Sequence, residues 1–429
     1  MQKKYPMKIV DLQEAVSVVR SDNRIFFQGA AMTPNALIDA LCDRYKELNN
    51  VEIIQIHTDG EAKYMEDPYS DSFRLSSCFV GGNVRKGVNS NNGDYIPIFL
   101  SEIHWLFRRD ILPLDVAFIQ VSPPDKHGYC SLGVSVDITI PAIEKAKTVV
   151  ALINKQVPRT HGDGIIHMNE INYAVEMDTP IHQSIVTKPS EIETQIGKHV
   201  AGLIEDGATL QMGIGNIPNA VLNNLTHHKR LGIHTEMFSD GVLPLIENGV
   251  ITGEDKKVKP GKILTTFAVG SQKLYDYIDD NPVVHFKEAS HTNDTSIIKL
   301  NPKVTAINSA IEIDFTGQIC ADTIGSYQYS GVGGQMDFIR GAALSKGGKA
   351  IIAMPSTTKR GDSKIVPYLK HGAGVTTTRA HVHYVATEYG IVDLFGKSLK
   401  QRAKALVGIA HPEHQETLDR EMHTRFKLI

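Results

Sequence analysis

A glutamate that follows a short apolar run is the residue of this chain best suited to chemistry on an acyl group. Leu231–Thr235 predicts a short strand, and Glu236 comes directly after it. A carboxylate attacks an acyl carbon effectively only when it is held beside the carbonyl and shielded from water. Taken alone, such a glutamate is more often a salt-bridge partner or a helix cap, so the case for Glu236 depends on its surroundings.

A glycine turn precedes this glutamate along the chain. Ala208–Met212 predicts a strand, Gly213-Ile214-Gly215 predicts a turn, and the next residues predict a helix with Pro218 near its start. Glycines let the backbone approach a ligand closely, and the N–H groups at a helix N-terminus favour anionic groups. We therefore expect the turn to stabilise negative charge close to Glu236.

The same plan occurs earlier in the chain. Gly29 and Pro34 fall on Gly213 and Pro218 when the two stretches are superimposed, and His57-Thr58-Asp59 falls on His234-Thr235-Glu236. Any strand–turn–helix unit shares some of these features, but agreement at both the turn and the following strand favours a duplication. The second copy differs in having a second glycine in its turn and a glutamate in place of aspartate.

The order of the elements predicts an α/β protein with two domains. Continuous apolar runs such as Asp115–Val121 and Thr148–Ile153 are typical of buried strands, and they alternate with helical patterns. The segment 176–192 is polar, contains two prolines and lacks periodicity. This places the domain boundary there, with an N-terminal domain at 1–185 and a C-terminal domain at 190–429.

Composition narrows the class of protein. The 429 residues carry a net charge of -3, which argues against nucleic acid or an anionic membrane as the main partner. The four cysteines are far apart and form no CxxC pair, which favours a reducing compartment and no zinc site. The start of the chain contains no signal-peptide core and no run long enough to span a membrane, so we expect a cytoplasmic protein.

Three glycine motifs suggest phosphate binding, and the residues around the first two argue against it. Pro218 stands where a dinucleotide fingerprint needs its third glycine, which argues against NAD. Gly396-Lys397-Ser398 looks like the end of a P-loop, but Gly390 is one residue too far away and the intervening residues are bulky. Gly331–Gly334 is either a third ligand-binding loop or a plain tight turn.

The other reactive residue types give no recognisable site. His381 and His383 lie on one face of a predicted strand, but no carboxylate stands at matching spacing, so a metal site is the less favoured interpretation. There is also no GxSxG elbow and no cysteine in a nucleophile context. Carboxylates therefore remain as the nucleophile candidates.

The motifs together resemble the acetyl-CoA hydrolase/transferase family, and within it the 4-hydroxybutyrate and butyrate:acetate CoA-transferases. The resemblance runs nearly end to end and is carried by GIGNIP at 213–218, HTEMFSDG at 234–241, SGVGGQMDF at 330–338 with Arg340-Gly341, TEYG at 387–390, GKSL at 396–399 and AHP at 410–412.

The resemblance implies two similar open α/β domains with an active site in the cleft between them. It also implies that Glu236 carries CoA covalently as a thioester, so that CoA is both a substrate and part of the intermediate, with no metal required. The expected CoA contacts are Gly213, Ile214, Gly215, Asn216, Ile217, Ile311, Gly334 and Lys359. The partners would be small acyl-CoA and carboxylate molecules, and a homo-oligomer is compatible with this class.

Three activities are compatible with these residues. The first is transfer of CoA between an acyl-CoA, such as acetyl-CoA, and a short carboxylate such as 4-hydroxybutyrate, butyrate or acetate. The second is hydrolysis of acetyl-CoA by the same glutamate, and the third is CoA binding without catalysis. Transfer is favoured because a site that admits water would waste the thioester.

Overall fold

The computed structural model describes residues 6–184, 187–213 and 215–427. Two compact units divide the chain. The first contains Met1–Ile185, Leu264–Thr292 and Gln328–Gly333, and the second contains Val186–Ile263, Asn293–Tyr327 and Gly334–Ile429. The chain therefore first changes units within the polar segment 176–192, but residues 190–429 do not all belong to one unit. The two later segments pack with the first unit through long-range contacts, which local composition does not reveal.

An eight-stranded sheet forms the centre of the first unit, and all its pairs are parallel. Its strands, in spatial order, are Lys8–Ile9, Tyr173–Glu176, Thr148–Ile153, Val116–Val121, Arg24–Phe27, Val51–Gln55, Phe73–Ser77 and Gly93–Tyr95. The central strand Val116–Val121 is buried at every residue, as expected for a parallel sheet covered on both faces.

Helices and short strands complete the first unit. The α-helices are Leu12–Val16, Asn35–Cys42, Arg85–Val88, Ile103–Arg108, Thr139–Lys145, Gln272–Ile278 and Ala289–Thr292. The 3₁₀ turns are Lys63–Met65, Tyr69–Asp71, Leu100–Glu102 and Met168–Glu170, and the remaining strands are Tyr129–Ser131, His161–Gly162, Ile165–His167, Ile263–Thr265, Phe267–Ala268 and Val284–Phe286. Phe27 stacks on Phe118 in the core, with ring centroids 5.7 Å apart.

A six-stranded sheet forms the centre of the second unit. Its spatial order is Gly232–Ile233, Thr209–Met212, Thr305–Asn308, Lys349–Ala353, Tyr384–Thr387 and Gly390–Asp393. The pairs are parallel except for the last, which is an antiparallel hairpin. The buried core beside this sheet includes Phe338, Ile352 and Leu406.

The helices of the second unit pack around this sheet. The α-helices are Glu191–Ala201, Asn216–Asn223, Leu243–Glu247, Thr295–Ile298, Gln335–Leu344, Leu399–Gly408 and Pro412–Phe426, with a 3₁₀ turn at Asp240–Val242. The short strands are Met237–Phe238, Glu312–Asp314, Ile319–Cys320, Thr323–Ile324, Tyr327–Gln328 and Ile365–Val366. Ser398 of the GKS motif is the N-cap of Leu399–Gly408 in a capping box with Gln401, which gives this motif a structural role.

Five neighbouring strands of each sheet follow the same order. From strand Val51–Gln55 the first sheet continues through strands that begin at Arg24, Val116, Thr148 and Tyr173. From Gly232–Ile233 the second sheet continues through strands that begin at Thr209, Thr305, Lys349 and Tyr384. The strand–helix–strand segments 24–55 and 209–233 therefore occupy corresponding positions in the two sheets. The predicted α/β class with two similar open domains is confirmed.

Candidate active site

Glu236 follows the edge strand of the second sheet. That strand, Gly232–Ile233, pairs in parallel with Thr209–Met212, so the two strands end at the same edge of the sheet. The hydroxyl of buried Thr235 lies 3.0 Å from the carbonyl oxygen of Met212 and 3.0 Å from that of Met237. Thr235 thereby ties the residues on both sides of Glu236 to the strand that leads into the glycine turn.

The glycine turn leads from Met212 into a helix. Gly215 has φ 117° and ψ 179° as the residue that precedes helix Asn216–Asn223, a conformation that L side chains rarely adopt. The first N–H groups of such a helix have no partner within the helix. Gly213 and Ile217 are half-buried, and Asn216 accepts a 2.7 Å hydrogen bond from the hydroxyl of Thr187. Ile214, also expected to contact CoA, lies outside the described residues.

A buried asparagine holds the carboxylate of Glu236. Nδ2 of Asn293 donates to Oε2 of Glu236 at 2.9 Å and lies 3.3 Å from Oδ2 of Asp337. Asn293 is fully buried, Asp337 is 5% exposed, and Glu236 is half-buried. Hydrogen bonds to ionised groups are stronger than neutral ones, so this amide restricts where the carboxylate of Glu236 can point.

Gly334, one of the predicted CoA contacts, lies beside the carboxylate of Glu236. It is the N-cap residue of helix Gln335–Leu344, and a side chain added to it would collide with Oε2 of Glu236 and Nδ2 of Asn293. The carboxylate therefore occupies the space that a side chain at position 334 would fill.

A buried lysine donates a hydrogen bond to the edge strand that precedes Glu236. Nζ of Lys256 donates to the carbonyl oxygens of Ile233 and Lys262, each at 2.6 Å, and the residue is 2% exposed. Burial lowers the pKa of Lys256 to about 7. The stem of the lysine crosses Gly232 so closely that an added Cβ there would lie 2.6 Å from Cγ of Lys256. Lys256 thus donates the hydrogen bond that a neighbouring strand would otherwise provide.

The remaining predicted CoA contacts lie on loops at the same edge of the sheet. Ile311 follows strand Thr305–Asn308 and donates its N–H to the carbonyl of Cys320 at 2.8 Å. Lys359 follows strand Lys349–Ala353 and is exposed. With the glycine turn and Glu236, these loops follow four successive strands, and ligands of open α/β sheets bind at this edge.

The first-unit counterpart of Glu236 has different neighbours. Asp59 is half-buried, follows a turn that has no second glycine, and has His182 at 3.7 Å. It lines an open depression together with Lys63 and Tyr64. The equivalent positions of the two units are thus surrounded by different side chains.

The two histidines of the predicted strand, His381 and His383, are both half-buried. Burial lowers the pKa of both His381 and His383, as expected for imidazoles that lose hydration. Within residues 6–184, 187–213 and 215–427, no group of three or more His, Cys, Asp or Glu residues could hold a metal ion. No helix among these residues is long and apolar enough to cross a membrane.

Sequence patterns predict that Glu236 and Gly334 belong to the site, but they do not predict this for three neighbouring residues, Thr235, Asn293 and Asp337. Asp337 lies within the SGVGGQMDF motif and Thr235 lies within HTEMFSDG, yet neither motif gives these residues a role of their own. Asn293 lies in a polar segment with no motif, and it meets Glu236 only through the fold.

The sequence profile of the family covers both parts of the chain. The acetyl-CoA hydrolase/transferase N-terminal domain matches residues 1–186, and the C-terminal domain of the same family matches residues 270–422. The chain belongs to the acetyl-CoA hydrolase/transferase family, and it is a CoA-transferase that uses CoA in acyl-CoA form as a substrate.

Two relatives that match nearly the whole chain bear transferase names. A succinyl-CoA:acetate/propanoyl-CoA:succinate CoA transferase of Fasciola hepatica is 49% identical, with 99% of this chain and 90% of the relative covered. A 4-hydroxybutyrate coenzyme A transferase of Clostridium kluyveri is 48% identical, with 98% and 99% covered. Among solved structures, RipA from Yersinia pestis is similar at a TM-score of 0.92 and 33% identity, with 98% of each chain covered.

Proposed function

We propose that Glu236 is the nucleophile of this CoA-transferase and carries CoA as a glutamyl thioester. The observation that carries the proposal is the position of its carboxylate, which follows a strand end, receives a hydrogen bond from buried Asn293, and fills the space beside Gly334. Such fixed placement is what a weakly nucleophilic carboxylate needs to attack a thioester.

The reaction consists of four acyl exchanges. Glu236 attacks the thioester carbonyl, which releases CoA thiolate and leaves an acyl-glutamyl anhydride. The thiolate then attacks the glutamyl carbonyl, which forms glutamyl-CoA and releases the first carboxylate. The acceptor carboxylate attacks glutamyl-CoA to give a second anhydride and thiolate, and the thiolate attacks the acceptor carbonyl to give the new acyl-CoA and free Glu236.

Each exchange passes through an oxyanion that needs hydrogen-bond donors. The N–H groups at the very start of helix Asn216–Asn223, which have no acceptor within the helix, are the donors we assign to it, because the turn ends beside the strand that precedes Glu236. We assign CoA contacts to Gly213, Ile214, Gly215, Asn216, Ile217, Ile311, Gly334 and Lys359. Every step exchanges an acyl group between oxygen and sulfur, so we expect neither a metal nor a redox cofactor to take part.

The substrates we propose are short carboxylates and their CoA thioesters. The Clostridium kluyveri relative is named for 4-hydroxybutyrate, and another relative, from Anaerostipes caccae, is named for butyryl-CoA and acetate. We expect acetyl-CoA to donate CoA to 4-hydroxybutyrate or butyrate in the cytoplasm. Initial rates with acetate, propionate, butyrate, 4-hydroxybutyrate and succinate as acceptors would rank these acids.

Trapping the intermediate tests the role of Glu236. The protein is incubated with acetyl-CoA, treated with borohydride or hydroxylamine, digested and analysed by mass spectrometry. We expect one modified peptide, which contains Glu236, and no modification in the Glu236→Gln variant. Modification of another carboxylate, or full turnover by Glu236→Gln, would show that the assignment is wrong.

Two controls separate transfer from the other activities. Release of free CoA from acetyl-CoA without an acceptor acid, at a rate equal to that of transfer, would mean hydrolysis. If Glu236→Gln loses turnover but still binds CoA, the glutamate acts in the chemistry rather than in binding alone. We expect slow hydrolysis, fast transfer and retained binding.

A further inference from the structure

We propose that Asp337 is a positioning residue that keeps the side-chain amide of Asn293 turned with its nitrogen toward Glu236. This inference rests on the proposed role of Glu236 as the nucleophile. Asp337 acts through Asn293 and need not touch the substrate.

The geometry places one NH₂ group between two carboxylates. An asparagine Nδ2 carries two hydrogens, and in this structure it lies 2.9 Å from Oε2 of Glu236 and 3.3 Å from Oδ2 of Asp337. Asn293 and Asp337 are both buried, so water does not compete strongly for these contacts. Each hydrogen of the amide therefore has its own carboxylate acceptor.

The opposite orientation of the amide would be strongly disfavoured while Asp337 is present. A rotation of the amide by 180° would direct Oδ1 at two carboxylates, and oxygen cannot donate a hydrogen bond to either. In the observed orientation, Oδ1 of Asn293 is buried without a hydrogen-bond partner among the described residues. Because a buried unpaired oxygen is costly, two acceptors for Nδ2 are needed to keep the amide this way round.

Loss of Asp337 would remove one of these two acceptors. The amide would then turn more freely, and the conformers with Oδ1 toward Glu236 would repel the carboxylate. Misplacement of a reacting group by a small distance lowers rates strongly. The effect should therefore fall on the formation of glutamyl-CoA rather than on the binding of acyl-CoA.

Asp337 also has a structural role that the test must separate. It lies in the first turn of helix Gln335–Leu344, where a carboxylate stabilises the helix through its dipole. Its backbone carbonyl accepts from the hydroxyl of Thr295 at 3.3 Å, a contact that side-chain substitution leaves in place. A helix-stabilising role alone predicts a lower Tm but no dependence on Asn293.

A double-mutant cycle distinguishes these roles. Single-turnover formation of glutamyl-CoA is measured for Asp337→Ala, Asn293→Ala and the double variant. We expect each single substitution to slow this step about tenfold or more, the scale of one lost charge-assisted hydrogen bond, with KM for acyl-CoA within about twofold. The double variant should be no slower than the slower single variant, because Asp337 has nothing to orient once Asn293 is absent.

Conservative substitutions sharpen the result. Asp337→Asn keeps an acceptor oxygen, so it should recover most of the rate lost in Asp337→Ala. Asp322→Ala is the matched control, because Asp322 is buried in the same unit and accepts from the hydroxyl of Thr376 at 2.7 Å. We expect its single-turnover rate to be unchanged even where its Tm falls. If Asp337→Ala does not fold, Asp337→Ser replaces it in the same cycle, because the serine side chain is too short to bring its hydroxyl within hydrogen-bond distance of Nδ2 of Asn293.

The outcomes separate this inference from the proposed function. If Glu236→Gln abolishes adduct formation while the effects of Asp337→Ala and Asn293→Ala multiply, the role of Glu236 stands and the role of Asp337 is overturned. An unchanged rate in Asp337→Ala would overturn the role of Asp337 as well. If Glu236→Gln still forms the adduct, the proposed function itself fails.

Discussion

The carboxylate of Glu236 lies in the space where residue 334 would carry its side chain. A Cβ added to Gly334 would come closer to Oε2 of Glu236 than real Cβ atoms come to their neighbours, and it would also overlap Nδ2 of Asn293. The backbone of Gly334, with φ -99° and ψ 8°, is open to any residue, so the carboxylate rather than the chain conformation requires glycine there.

Gly334→Ala should therefore damage the reaction more than the fold. The added methyl group must displace the end of the Glu236 side chain, and a shift of about 1 Å in a reacting group lowers rates about 100-fold. We expect this decrease in the single-turnover rate of glutamyl-CoA formation, with far-UV circular dichroism unchanged. Gly408→Ala, where an added Cβ has no neighbour within 4 Å, is the control and should keep the wild-type rate. Equal rates in the two variants would contradict the prediction.

Lys256 should make stability depend on pH. Its pKa is lowered from 10.5 to about 7 by burial, so between these values the unfolded chain holds a proton that the folded chain has released. The free energy of unfolding therefore rises with pH across this window, by up to about 1.4 kcal/mol per pH unit. Below the window the lysine is protonated in both the folded and the unfolded chain, and it contributes no pH dependence there.

The Lys256→Met variant isolates this contribution. The difference in Tm between wild type and variant should change in favour of the wild type as the pH rises from about 7 to about 10, because methionine does not titrate. Lys257→Met is the matched control, since Lys257 is the next residue and its side chain is exposed. A wild-type curve parallel to that of Lys256→Met would show that the lysine titrates near its ordinary pKa.

Lys359 should contribute to CoA binding if the proposed contact exists. It is exposed on a loop at the edge of the sheet where the glycine turn ends, and a charge-assisted hydrogen bond to an anionic group of CoA is worth about 1–3 kcal/mol. Lys359→Ala should therefore raise the Kd for CoA by roughly 5- to 150-fold in a calorimetric titration. Lys299→Ala, at another exposed lysine of the same unit, should not change it. An unchanged Kd in Lys359→Ala would mean that this lysine is simply solvated.

Asp59 should not replace Glu236 as the nucleophile. Its side chain is shorter, its turn has one glycine fewer, and its neighbours are His182, Lys63 and Tyr64. Asp59→Asn should leave the yield and rate of the Glu236 adduct within about twofold of wild type, with Tm slightly lower. A CoA adduct on Asp59 found by mass spectrometry would reverse the roles assigned to the two copies.

Strongly apolar segments were the most predictable parts of the fold. Thr148–Ile153 forms a strand with the predicted limits, and the run Asp115–Val121 forms a strand that begins one residue later, because continuous burial in a parallel sheet needs continuous apolar sequence. The edge strand was less predictable. The run Leu231–Thr235 predicts one strand, but only Gly232–Ile233 forms it, because the length of a strand is set by its pairing with a neighbour, here Thr209–Met212, and not by its own sequence.

The candidate site shows the same division between local and long-range information. Glu236 and the turn at 213–215 could be found from the sequence because a strand end, a glycine turn and a helix start are all local patterns. The contacts of Asn293 with Glu236 and Asp337 join residues 57 and 44 positions apart, and no periodicity reports them. Only the packing of the second unit brings these three side chains together, because a hydrogen bond depends on distance in space and not on separation along the chain.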